Sequence, residues 1–177
     1  MEIEVIRMVA DALADATIGV NAKLPGVPRD GGDAVPPNVV IADATRDNWV
    51  ARRAVALGDL NIVLPAIAVS IFRPAEVDGE IETTDRQGVF DVLLEYIVRK
   101  SNTKLATQHG AYTMRTVLCV LDWFNKNENA ALRTRNNVAL TVCTRRFIQP
   151  LWAEREDAVV TAAIVATYQV RDLTPSW

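Results

Sequence analysis

The chain has 177 residues, enough for one domain around one sizeable core. Half of them are hydrophobic, 23% are charged, the formal net charge is −3 and the pI is about 5.2. That balance suits a soluble globular protein and argues against a dedicated nucleic-acid binder, which carries a basic stripe.

No apolar run approaches the roughly 20 residues needed to span a bilayer, so no membrane partner is expected. At the N-terminus, Glu2, Glu4, Arg7 and Asp11 interrupt the apolar residues. A signal peptide needs an uninterrupted apolar stretch, so the expectation is a protein that is cytosolic when made. Val5, Ile6, Val9, Leu13 and Ala16 recur at spacings of three and four, which predicts an amphipathic helix over 2–16. Residues 19–38 hold four of the eight glycines and four of the eight prolines, the composition of an irregular loop. Within it, Asp30 and Asp33 in DGGD lack the further oxygen ligands of a calcium loop and read as a turn.

Val39–Ala42 reads as a short strand. Thr45 caps a predicted helix over about 46–57, with Trp49–Val55 as an extended alternative. Ile62–Phe72 is strand-like, with Pro65 near its start. Residues 74–87 are polar and acidic, as befits a hairpin tip. In the returning strand Gly88–Arg99, Phe90, Val92, Leu94, Tyr96 and Val98 alternate onto one purely apolar face. The other face mixes Asp91, Glu95 and Arg99 with Val89, Leu93 and Ile97, a pattern expected where a second surface packs.

A helix follows over about 103–126, presenting Leu105, Tyr112, Met114, Val117, Leu118, Leu121 and Phe124. Gly110 weakens its first half by about 1 kcal/mol relative to alanine. Polar residues 125–137 end it. Val138–Phe147 is the next strand, 149–157 a second tip, and 158–171 the last strand. The expected fold is α+β: a mainly antiparallel sheet of four or more strands, the long helix packed on one face and the N-terminal helix beside it.

Chemistry is hard to find. The chain has no GxxxxGK[ST] or GxGxxG phosphate loop and only one histidine, His109, which reads as a surface or helix residue. Cys119 and Cys143 lie in apolar periodic segments and read as buried small hydrophobes, with no metal-ligand partners. Asp91 and Glu95 are roughly 13 Å apart on one strand face, wider than a glycosidase pair. They suit arginine partners across a sheet or an interface better. Asp122 reads as solvated. Arg133, Arg135, Arg145 and Arg146 are the densest basic group, but alternation turns Arg145 and Arg146 to opposite faces, so they read as solvated or salt-bridged. Trp152 on the second tip and Trp177 near the C-terminus are poorly placed to bury within a monomer, which favours interface roles. No catalytic residue, metal ligand or cofactor is assigned.

The segments LPAIAVSIF, GVFDVLLEYIVRKSN, YTMRTVLCVLDWF, VALTVCTRRF and AVVTAAIVATYQV span about residues 60–172. Their order and flavour resemble the tail terminator (tail completion) proteins of tailed bacteriophages. The resemblance implies a virion structural protein of the tail and neck, made in the host cytoplasm. It would form a homohexameric ring that caps the tail tube and joins the head-side connector. Double-stranded DNA would pass through the lumen without sequence recognition. A ring needs heterologous contacts that close, and strand edges and tips supply them. The interface residues expected on this reading are Glu76, Asp78, Glu80, Glu82, Asp91, Glu95, Trp152, Glu154 and Trp177. The competing readings are another head–tail neck protein, a cellular module that binds peptides by strand addition, and a small enzyme with an unrecognised site.

Overall fold

The protein is described from a computed structural model at residues 2–43, 63–72, 87–99, 103–148 and 158–173. The segments expected to form the 46–57 helix and the two hairpin tips lie outside the described residues. Glu2–Ala14 forms helix α1, burying Val5, Ile6, Val9 and Leu13, with Glu2 and Glu4 in its first turn near the positive end of the helix dipole. It stops short of the expected Ala16, which is exposed. Asp15 turns the chain instead: its carboxylate accepts the Thr17 and Ile18 N–H groups at 2.8 and 3.0 Å.

The 19–38 stretch is more ordered than its composition predicts. Val20–Lys23 forms a single-turn helix, α2, and Leu24–Gly26 a 3-10 turn. Beyond them Asp30–Asp33 is a turn, closed by the Asp33 N–H donating to the Asp30 carbonyl at 3.0 Å.

Among the described residues, six strands form one mixed sheet: β1 (Val40–Asp43), β2 (Ala66–Ile71), β3 (Gln87–Arg99), β4 (Thr134–Arg135), β5 (Val138–Ile148) and β6 (Ala158–Asp172). Their spatial order is β1-β2-β3-β6-β5-β4. Only β1 and β2 are parallel; all other neighbours are antiparallel. The β3–β6 ladder runs from Gln87 opposite Arg171 to Arg99 opposite Ala158, with Thr161 as an extra residue on β6. A second extra residue, Thr141, sits on β5. β4 and β5 are joined by Asn136 and Asn137, both at positive φ, the conformation a two-residue hairpin demands and asparagine tolerates.

Thr103–Phe124 is the long helix, α3. It and α1 pack on the same face of the sheet. Val92, Leu94, Tyr96 and Val98 of β3 meet Ile164, Ala166 and Tyr168 of β6 there, under Met114, Val117, Leu121 and Phe124 of α3. Each large apolar side chain so buried contributes about 1.5–3 kcal/mol. Gly110 has a packing role as well as a helix cost. A Cβ at this position would lie 2.9 Å from Thr161 Oγ1 and 3.1 Å from the Tyr96 ring, so the missing side chain lets α3 approach the sheet.

The opposite face is also covered at its centre. Leu93, Ala163 and Val165 are buried together with Phe72 against them, and Glu95 and Ile97 are buried beside them. The mixed alternation of β3 thus ends in two buried faces rather than one wet and one dry.

Candidate assembly surfaces

Alternation along β3 places Asp91 and Glu95 on one face, as expected, but at different depths. Asp91 is half-buried and accepts a hydrogen bond from the Thr167 hydroxyl of β6, its direct cross-strand partner. Glu95 lies between Ala68 of β2 and Ala163 of β6 and is 1% exposed. Glu95 is therefore part of the sheet's own packing, and a second molecule reaches it only if that face opens. The other expected interface residues, Glu76, Asp78, Glu80, Glu82, Trp152, Glu154 and Trp177, lie outside the described residues.

Near the Gln87–Arg171 end of the ladder the outer face opens to solvent. Gly88, Val89, Thr141, Gln169, Val170 and Arg171 line a shallow depression of about 480 Å³. Val89 is 67% exposed at its rim, a large apolar group in water next to the cationic Arg171. The Thr141 bulge helps to shape it: its hydroxyl donates to the Gln169 carbonyl at 3.1 Å, tying the extra residue to β6.

The sheet margins are treated differently. At β1, the Asn21 side-chain amide donates to the Val39 carbonyl and accepts the Val39 N–H, both at 2.9 Å. Asn21 thereby imitates one residue of a neighbouring strand and blunts that edge. At the other margin, β4 covers only Val138 and Ala139 of the eleven-residue β5. Asn21 was invisible to pattern reading, because a side chain that stands in for a strand leaves no periodicity.

The arginine group is engaged rather than displayed. Arg135 bridges Glu4 and Asp11 of α1 at 3.2 and 2.7 Å, fastening β4 to that helix. Arg145 pairs with Asp122 of α3. Asp122 is thus exposed yet paired, where simple solvation was expected. Arg133 is buried. Arg146 keeps its place on β5, but its side chain lies outside the description. Arg133, Arg135 and Arg145 therefore form no open phosphate-binding patch.

Two expectations for α3 change. Cys119 is exposed, not buried, because it shares the outer strip of the helix with Arg115 and Asp122, while Val117, Val120 and Leu121 take the inner one. His109 is on the helix but only 9% exposed, inside rather than at the surface. Tyr112 acts as an anchor for the Pro/Gly-rich loop. Its hydroxyl donates to the Asp33 carboxylate and accepts the Asp30 N–H. That hydrogen bond, with help from Gln108, the Asp30 backbone and Arg29, holds the Asp33 carboxyl below the usual range, against the opposing effect of desolvation. Arg115 lies over the Tyr112 ring, 5.9 Å from its centroid.

Among the described residues, no group of three or more His, Cys, Asp or Glu side chains is placed to hold a metal. No helix among them is long and apolar enough to cross a membrane. No protein-family model, curated protein or solved structure matches the chain.

Proposed function

We propose that this protein is a non-enzymatic structural component of a tailed-bacteriophage virion. On this reading it is a tail terminator whose homohexameric ring caps the tail tube and joins the head-side connector, double-stranded DNA passing through the lumen. The observation that supports it is the position of two acidic chain segments relative to one long ladder. Residues 73–86 connect the antiparallel neighbours β2 and β3 and enter the sheet at Gln87, opposite Arg171. Residues 149–157 connect β5 and β6 and enter at Ala158, opposite Arg99. These entry points are the two ends of the thirteen-residue β3, roughly 40 Å apart at standard strand rise. A ladder that receives one acidic chain segment at each end of β3 suits a part that must meet one partner below and another above. Acidic groups near a lumen also let DNA pass without the adhesion that counterion release gives to basic surfaces.

The test is the mass of the purified protein by light scattering behind a sizing column, alone and with a tail-tube protein. A ring in either condition supports the reading. A monomer in both would shift it to strand-edge peptide binding, with β5 as the strand in question. Deletion of residues 76–84 is expected to leave melting unchanged while abolishing the assembled species. Loss of the folded monomer would show instead that the segment serves the fold.

A further inference from the structure

The first half of α3 carries polar groups that the packing leaves unanswered. His109 Nε2 and Thr161 Oγ1 are out of water and make no hydrogen bond, and the buried Thr113 Oγ1 and Tyr96 Oη have only each other. Thr113 and Tyr96 are 0% exposed and His109 is 9% exposed. The four belong to one locality. His109 and Thr113 are four residues apart on one helix face. Thr113 lies beside the Tyr96 phenol. Tyr96 and Thr161 both press on Gly110, the residue next to His109.

We propose that His109 is an acid-sensitive latch, holding the first half of α3 on the sheet at neutral pH and releasing it on acidification. A neutral imidazole offers one donor and one acceptor; a protonated one offers two donors and a charge. Among the described residues, those placed against this turn offer hydroxyls and a ring, and no carboxylate. From β3 comes Tyr96 and from β6 Thr161, both against the adjacent Gly110 and both uncharged at neutral pH. Four acids on and around α3 are turned elsewhere: Asp33 to Tyr112 and Gln108, Glu4 and Asp11 to Arg135, and Asp122 to Arg145. A buried cation without a partner is costly, so the protonated ring favours an open helix.

Burial lowers the His109 pKa below its usual 6.5. The unfolded or opened chain therefore binds the proton more readily. The latch is at full strength above about pH 6.5 and weakens as pH falls below that value, toward the lower pKa of the closed form. Opening has a consequence for the loop. Tyr112 sits within the same stretch, so lifting it detaches the Asp30–Asp33 turn from the helix.

The experiment is amide hydrogen exchange on the full chain at about pH 7.5 and about pH 5, corrected for intrinsic chemical exchange. Protection over residues 105–113 is expected to fall roughly threefold or more on acidification, and protection over 114–124 to hold. His109→Gln, polar but without a titrating ring, is expected to remove that pH dependence. An equal loss in His109→Gln, or no loss in the native chain, overturns the proposal. Should His109→Gln not fold, the ring is titrated directly by NMR in the native chain. A pKa below the ordinary 6.5 agrees with the latch, and one at or above it refutes it.

Discussion

Phe124→Ala is expected to destabilise the fold by about 3–5 kcal/mol, which for a chain of this size lowers Tm by roughly 6–20 °C. Phe124 is fully buried on the last turn of α3, among the core residues shared by α1, α3 and the sheet. Its ring meets that of Tyr168 on β6 edge to face, with centroids 6.4 Å apart and planes at 73°. Truncation removes the apolar area and also leaves a cavity, because β6 is held on both sides by β3 and β5 and cannot collapse into the gap. Phe124→Leu keeps most of the volume and should cost less than half as much. A double-mutant cycle with Tyr168→Leu isolates the ring–ring contact, expected at about 0.5–1.5 kcal/mol. A Tm within 2 °C of the native value for Phe124→Ala would falsify the docking of α3 on β6, by the same size scaling.

The element order after residue 60 is legible because each run carries one dominant period. β3 alternates so cleanly that its helix-facing residues, from Phe90 to Val98, follow from the sequence alone. α3 carries apolar groups at helical spacing and loses its period at the polar run from Asn125. What stays hidden belongs to partners distant in sequence. Alternation within β6 does not say that it inserts between β3 and β5, since pairing is a property of two strands. The two-residue β4 is too short to have a period at all. Cys119 misleads because a small apolar residue between apolar neighbours looks inward whichever strip of the helix it occupies. His109 misleads in the opposite sense. Its polar neighbours suggest a wet helix start, yet Gly110 draws that turn onto the sheet and carries the imidazole inside. Of the expected interface set, only Asp91 and Glu95 fall on described residues. Their depths were hidden too, because burial on the second face of a sheet depends on what lies over it.

The margins and the core are mechanically connected at one glycine, and Gly19→Ala is the sharpest probe of that connection. Gly19 is buried between α1 and α2, with its N–H donating to the Asp15 carbonyl at 2.9 Å. A Cβ there would lie 2.3 Å from the Asp15 carbonyl oxygen and 2.6 Å from that of Leu13. Both obstacles are backbone at the end of a packed helix, so no side chain can rotate aside. The turn must open instead. Opening it moves α2, and Asn21 with it, away from Val39, leaving two backbone groups of the β1 margin without their partner. The expected cost is about 3 kcal/mol, near the upper end of ordinary single substitutions. Asn21→Ala separates the two contributions. It removes only the amide and is expected to cost about 1–2 kcal/mol. It leaves the α1–α2 turn intact and β1 open to pairing. In solution Asn21→Ala should therefore remain folded but gain a concentration-dependent tendency to associate, visible by light scattering, whereas Gly19→Ala should lose stability first. Equal melting temperatures for Gly19→Ala and the native chain would mean that the α1–α2 approach is looser than 2.3 Å implies. The link from helix turn to sheet margin would then be absent.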